Sequence, residues 1–334
     1  QPLPAVRNGG AMNDMSRFST LGAPRQLPVP REQTQQLLDL RSAASAQIKP
    51  ADLYTLADRL EAQAQRFPDQ PFLIYGTDVY SYAQVDAQAN RMAHVFYDKG
   101  LRPGDVCAIA MENRPQFFFC WFGLVKLGAV VAFINTQVNG KPLVHALQTT
   151  DAKAVVVGEE CLDNLLATEG LPDVPWWLIE DLENPHNRVL PACVDQSFSE
   201  QIAQAAPTPF AREVRAAITA ESTTLLIFTS GTTGLPKAAR YSHMRWMSSG
   251  DVMEVTMGAT AADVFYCCLP LYHGAAATSV TSTALRVGAS IVVRRKFSVR
   301  EFWQDVRRNH ITVFQYIGEI CRYLLNQPVM AGER

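Results

Sequence analysis

Between Phe228 and Ala239 the chain reads FTSGTTGLPKAA, with four hydroxyls, two glycines and one lysine following directly on the apolar run TLLIF. A strand that ends in Thr229-Ser230-Gly231-Thr232-Thr233-Gly234 supplies a loop whose backbone N–H groups and hydroxyls can all turn toward one anion. Gly231 and Gly234 allow close backbone approach, Lys237 adds a positive charge, and Pro236 stiffens the return. The anion such a loop suits is a polyphosphate. A solvated Thr/Gly turn has the same composition, and composition alone leaves the two readings even. The run is not a Walker loop: Lys237 follows Pro236, and Ala238 stands where the magnesium-binding hydroxyl would be.

Two further segments carry chemistry-bearing residues. CLPLYHGAAA, residues 268–277, runs from an apolar strand into Tyr272-His273, at the strand end where α/β sheets present their ligands. The bland alternative is a histidine that caps the following helix. QYIGEI, residues 315–320, reads as a strand feeding a helix with Gly318 at the junction, and by itself fits a buried turn equally well. A serine hydrolase using Ser230, His273 and Asp263 is the rival chemistry, but Ser230 lacks the G-x-S-x-G elbow that exposes such a nucleophile.

The elements that must position these segments alternate along the chain. TLADRLEAQAQRF and SYAQVDAQANRMAHVFYDKG each place apolar residues on one helical face, Leu56, Leu60, Ala64 and Phe67 in the first, Val85, Ala89, Met92 and Phe96 in the second. PFLIYG, DVCAIAME, AVVAFIN and AKAVVVG are short apolar runs between turn residues, and VCAIAM is apolar at every position, as a strand covered on both faces must be. Residues 168–209, with six prolines, predict an irregular connection. Beyond it, strands at TLLIFTS, VFYCCLP, ASIVVRR and ITVFQYIG alternate with helices near 243–255, 274–286, 299–310 and 319–327. Ser298 and Glu301 predict a capping box for the third of these helices. The pattern is that of a doubly wound α/β fold, mostly parallel sheets with helices on both faces. Residues 1–50 are expected to be a tail or arm, 51–215 a first α/β subdomain, and 216–334 part of a second one carrying the phosphate loop.

Composition narrows the partners. The 334 residues are 48% hydrophobic and carry 30 basic against 32 acidic side chains, a net charge of −2, which gives no field for holding nucleic acid. The seven cysteines are scattered without C-x-x-C spacing and read as reduced residues of a cytoplasmic chain. The six histidines form no H-x-x-x-H pair, so no metal site is assigned. FFFCWFGLVKLGAVVAF, residues 117–133, is interrupted by Lys126 and two glycines, and predicts a buried helix followed by a buried strand, not a membrane span.

The stretch FTSGTTGLPKAA resembles the phosphate-binding signature of the adenylate-forming superfamily of acyl-CoA synthetases, luciferases and peptide-synthetase adenylation domains. The resemblance covers nearly all of residues 51–328. SYAQVDAQANRMAHVFYDKGLRPGDVCAIAMEN and GLVKLGAVVAFINTQ are similar to its first two blocks, and CLPLYHGAAA to its aromatic-histidine block. VFQYIGEICRYLLNQP is similar to the fatty acid transport protein and very-long-chain acyl-CoA synthetase branch.

This resemblance implies a two-step reaction with ATP, Mg2+ and coenzyme A: a fatty acid carboxylate is adenylated with loss of pyrophosphate, and coenzyme A then displaces AMP. It assigns Thr229, Ser230, Gly231, Thr232, Thr233, Gly234 and Lys237 to the nucleotide phosphates, with Lys237 and His273 the catalytic candidates. Tyr272 and His273 would stand between acyl carboxylate and nucleotide, and Tyr316, Ile317 and Gly318 would contact the acyl chain. Where some long-chain relatives have a gating tryptophan, this sequence has Ala277. The residues end at Arg334, before the superfamily's threonine-glutamate block, ribose aspartate and C-terminal lid. The chain is therefore expected to be the N-terminal part of a longer enzyme, and no magnesium-binding glutamate is assigned. A nucleotide- or acyl-binding module without turnover is the alternative. Anionic fatty acids partition into bilayers, so peripheral membrane contact through an apolar surface is compatible with the reading.

Overall fold

A computed structural model of the chain describes residues 30–183, 185, 189–229 and 235–327. Contacts divide the chain between Asp39 and Leu40, and the elements from α2 onward belong to the unit that begins at Leu40. Helix α1 (Arg31–Ser45) occupies part of the expected tail. The elements that follow are α2 (Leu56–Arg66), β1 (Pro71–Tyr75), β2 (Asp78–Ser81), α3 (Tyr82–Asp98), β3 (Val106–Ala110), α4 (Pro115–Leu127), β4 (Val130–Phe133), α5 (Gly140–Thr150), β5 (Ala154–Gly158) and α6 (Leu162–Leu166). Then come β6 (Trp176–Ile179), β7 (Val194–Asp195), α7 (Phe198–Gln204), β8 (Thr223–Thr229), β9 (Lys237–Ser242), α8 (His243–Met257), β10 (Val264–Cys267) and a π-turn (Ala275–Val280). The chain continues through α9 (Thr281–Val287), β11 (Ser290–Val293), α10 (Val299–Arg308), β12 (Val313–Phe314) and α11 (Gly318–Leu325).

The strands build two mostly parallel sheets, ordered β7-β6-β5-β3-β4-β8-β9 and β12-β10-β11-β1-β2. Only β9 against β8 and β2 against β1 run antiparallel, each at an edge. The sheets do not follow a division at residues 215/216: β1 and β2 join the later strands, and β8 and β9 the earlier ones.

The apolar-on-both-faces reading of the central strands holds. Cys107 and Ile109 of β3, Val131 and Phe133 of β4, Ala154 and Val156 of β5, and Leu225 and Ile227 of β8 pack into one core with α3 and α4. The alternate residues Ala108, Ala110, Val130, Ala132, Val155, Val157, Leu226 and Phe228 pack into a second core under α5 and α6. Period-2 alternation thus splits each strand between two helical layers, which is why its sequence shows no polar face.

Four expectations are corrected. Residues 168–209 are not simply a connection, because β6, β7 and α7 lie within them and extend the seven-stranded sheet. Trp177 stacks on Phe198 there, with ring centroids 5.4 Å apart, and that aromatic packing outweighs the proline punctuation. Ser298 is the N-cap of α10, yet its side chain makes no cap hydrogen bond, and Glu301 pairs with Arg294 instead. The capping boxes that form are at Thr55/Asp58 and Ser81/Gln84. Finally, the last expected strand is reduced to Val313–Phe314, and the helix expected near 274–286 opens as the π-turn.

α4 ends at Gly128, whose φ of 85° is left-handed, and a Cβ there would stand 3.0 Å from the Arg215 Cβ. Both facts reserve the position for glycine.

α8 begins with His243, which is 1% exposed and accepts the Leu56 N–H at 3.3 Å through Nδ1. Burial pushes its pKa down to about 4, with Arg215 adding to the fall and Asp58 opposing it. A histidine titrates near 6.5 when unfolded, so the unfolded chain binds the proton first and this contribution is intact above about pH 6.5 and lost as the pH falls toward 4. Between pH 7 and 5 the wild type should lose roughly 2 kcal/mol more than His243→Gln, which keeps an acceptor but does not titrate. Urea unfolding at the two pH values checks this. Equal losses would show that His243 is protonated without cost.

Candidate active site

The hairpin β8–β9 pairs Thr229 with Lys237, and the Thr229 hydroxyl lies 3.4 Å from the Lys237 carbonyl. Both residues are exposed. Ser230, Gly231, Thr232, Thr233 and Gly234, five of the expected phosphate-binding residues, lie outside the described residues. The return limb is anchored from α5, where His145 Nε2 sits 3.1 Å from the Pro236 carbonyl. Among the described residues no carboxylate lies within ion-pair distance of Lys237, so its charge is available to an anion.

Tyr272 and His273 follow the C-terminal end of β10, with ring centroids 4.6 Å apart at an interplanar angle of 57°. Tyr272 is buried. Burial raises its pKa, with the nearby Thr136 side chain opposing and Glu112 reinforcing the rise, so it remains a phenol. The His273 ring keeps one edge in solvent, but the water it loses beside its neighbours lowers its pKa, which leaves a neutral imidazole at pH 7. A neutral ring can donate one hydrogen bond and accept another. The next residue closes on the hairpin: a Cβ on Gly274 would stand 3.6 Å from the Tyr241 hydroxyl of β9. The structure thus brings Tyr272-His273 to the same hairpin that starts at Lys237.

Within the π-turn that follows His273, the Ala277 carbonyl accepts the buried Trp246 indole N–H at 2.8 Å. Ala277 itself is fully buried. Such turns are frequent at functional sites because they offset a helix by one residue.

Tyr316, Ile317 and Gly318 follow β12, which pairs in parallel with β10, so they share the rim of the same sheet with Tyr272-His273. Tyr316 is 51% and Ile317 56% exposed, which overturns the plain buried-turn reading of this junction. Among the described residues none closes a tunnel over them.

Sequence reasoning missed the groups that hold the two sheets together at this rim. Arg295, just past β11, bonds Glu112 at 2.7 Å, Asp181 at 2.6 Å and Glu183 at 3.1 Å, all from loops of the seven-stranded sheet. Lys296 also pairs with Glu112 at 2.8 Å. Burial alone would raise the Glu112 pKa, but these two cations hold it below the usual carboxylate range. Within the seven-stranded sheet, Arg114 ties Glu160 at 3.1 Å to the Ile179 carbonyl at 3.0 Å. Asn113, between β3 and α4, reaches the loop that carries Tyr272. AMEN was legible as part of a block, but nothing local to it names a partner more than 150 positions away.

The hydrolase reading fails on placement. Asp263 precedes β10 and is bound by Thr312 at 2.8 Å and the Thr260 N–H at 2.7 Å, whereas His273 follows the opposite end of that strand. Among the described residues no group of three or more His, Cys, Asp or Glu side chains is placed to hold a metal ion, so the residues present do not fit a protein-built Mg2+ site. Among the same residues no helix is long and apolar enough to cross a membrane.

Two mostly parallel sheets meeting at their C-terminal ends, with a Tyr-His pair following a strand at that rim, are the fold of the N-terminal domains of adenylate-forming enzymes. The chain belongs to the AMP-binding enzyme family, whose model matches residues 60–333. It is 39% identical over 291 residues to the human long-chain fatty acid transport protein 6, covering 86% of this chain and 45% of that protein. It is 34% identical to a medium/long-chain-fatty-acid–CoA ligase of Mycobacterium tuberculosis, FadD6, over 86% of this chain and 46% of the ligase. The chain therefore spans less than half the length of these relatives. Among solved structures, the N-terminal domain of FACL13 from Mycobacterium tuberculosis matches with a TM-score of 0.70 at 22% identity, over 83% of this chain and 66% of that one. The anthranilate CoA ligase AuaEII in complex with anthranoyl-AMP matches at 0.70 and 21% identity, over 81% of this chain and 50% of that one.

Proposed function

We propose that this chain is the nucleotide- and acyl-binding part of a fatty acid–CoA ligase that forms AMP and acts on long or very long chains. In the first half-reaction a fatty acid carboxylate oxygen attacks the α-phosphorus of ATP, the bond to the bridging oxygen breaks, and pyrophosphate leaves, giving acyl-AMP. In the second, the coenzyme A thiol attacks the acyl carbon, forms the thioester, loses its proton and releases AMP. The observation that supports the reading is that the segment carrying Tyr272-His273 runs beside β9, where a Cβ on Gly274 would stand 3.6 Å from the Tyr241 hydroxyl, and that Lys237 opens this same strand opposite Thr229. Lys237 would neutralise charge on the departing pyrophosphate, and neutral His273 would orient the carboxylate beside Tyr272. Ser230, Gly231, Thr232, Thr233 and Gly234 complete the proposed phosphate site, with Tyr316, Ile317 and Gly318 on the acyl side. Mg2+ would accompany ATP as its phosphate complex.

The long-chain part rests on the sequence, where alanine stands at position 277 in place of a gating ring; each buried methylene adds about 0.8 kcal/mol, so affinity should climb with chain length until the site is full. Fatty-acid-dependent ATP–pyrophosphate exchange and hydroxylamine trapping, run on this chain and on a longer polypeptide containing it, test the reaction. Acids from acetate to very long chains, with benzoate and an amino acid included, test the substrate. Exchange that rises with chain length supports the reading. An optimum at acetate or benzoate overturns the long-chain part, and binding of ATP without exchange in either polypeptide leaves a binding module.

A further inference from the structure

Asn113 is 3% exposed and belongs to the loop between β3 and α4, on the side of the seven-stranded sheet. Its partners all belong to the other sheet. One Nδ2 hydrogen is donated to the Leu269 carbonyl, past the end of β10, at 2.8 Å, and the other to the Arg294 carbonyl, past the end of β11, at 3.1 Å. Its Oδ1 accepts the Leu271 N–H at 2.8 Å. Leu271 immediately precedes Tyr272-His273, so two of the three hydrogen bonds fix the backbone that presents the pair, and the third ties the same side chain to the end of β11.

We infer that Asn113 is a positioning residue, the clasp that sets the Tyr272-His273 segment against the seven-stranded sheet, and this inference rests on the ligase reading only for its catalytic consequence. The side-chain chemistry admits no close substitute. An amide alone offers two donors and an acceptor in one plane. Aspartate would turn carboxylate oxygens toward two carbonyls, alanine would leave the Leu271 N–H and two carbonyls without partners, and glutamine is one methylene too long for a buried loop. Position therefore depends on residue type here, which distinguishes Asn113 from the ion pairs beside it: they join the sheets but touch none of the backbone of residues 269–273.

The control is Asn90, 2% exposed in α3, which makes the same pattern of bonds away from the rim, donating to Asp86 and the Pro207 carbonyl and accepting the Phe210 N–H. Label this chain with 13C at the histidine Cε1, assign His273 through His273→Gln, and compare Asn113→Ala, Asn113→Asp and Asn90→Ala. The Tyr272 ring 4.6 Å away gives His273 a ring-current signature. Both alanine variants should lower the melting temperature, and only the Asn113 variants should move the His273 resonance to that of an unshielded histidine. Should Asn113→Ala not fold, Asn113→Ser, smaller but polar, carries the same comparison. A His273 signal unmoved in every folded Asn113 variant, or moved equally in Asn90→Ala, overturns the inference. The catalytic arm is read separately: in a polypeptide that exchanges ATP and pyrophosphate, Asn113→Ala should lower kcat with KM for ATP little changed. Absence of exchange in the wild type sinks the ligase reading and leaves the resonance result to decide the clasp.

Discussion

Replacing Lys237 with alanine should reduce fatty-acid-dependent ATP–pyrophosphate exchange about a hundredfold, which is the loss of one transition-state contact of about 3 kcal/mol. The lysine opens β9 opposite Thr229, exposed, with no carboxylate partner among the described residues, so it is not committed to holding the fold. Its removal should therefore leave the melting temperature unchanged to within the roughly 0.5 kcal/mol typical of surface positions. That separation makes the experiment decisive. Lys237→Arg keeps the charge and should recover part of the rate, short of all of it because a planar fork does not place its charge where an ammonium does. Exchange unchanged in Lys237→Ala would make the hairpin a solvated turn and remove the main support for the phosphate site.

The largest effect on stability is expected at Asp251. Its side chain is 1% exposed in α8 and takes Arg59 of α2 at 3.0 Å and Arg286 of α9 at 3.1 Å, with Arg59 itself only 5% exposed. Three helices thus share one carboxylate. Asp251→Ala would strand the Arg59 guanidinium in the core, and an uncompensated buried charge costs about 3–5 kcal/mol. For a chain of this size that is a fall in melting temperature on the order of 10 °C. The double variant Arg59→Met/Asp251→Leu removes both charges and should recover most of the loss, since the penalty belongs to the orphan, not to the absence of the pair. Calorimetry on the three proteins decides it: a single variant as stable as the wild type, or a double variant no better than Asp251→Ala, would show that water reaches Arg59.

The sequence by itself determined the strands that are buried on both faces, the α4–β4 pair, the hydroxyl- and glycine-rich composition of the run ending at Lys237, and the placement of Tyr272-His273 after a strand. Each of these is a local property: period, run length and residue type act over a few positions, and the backbone obeys them wherever the neighbours are. Tertiary structure decided what depends on distant partners. β6 and β7 form within a proline-rich stretch because β5 offers them a ladder and Phe198 a stacking surface for Trp177. β9, half-exposed and without a strong apolar period, is a strand only because β8 pairs with it. The Ser298 cap is absent although its motif is present, since Glu301 meets Arg294, which no local pattern shows. Asn113 was legible as an asparagine after a strand, but its meaning is three hydrogen bonds to backbone groups at positions 269, 271 and 294. Strand pairing, ion pairing and the satisfaction of buried amides are set by whichever groups the fold brings within about 3 Å, and sequence distance carries no information about that separation.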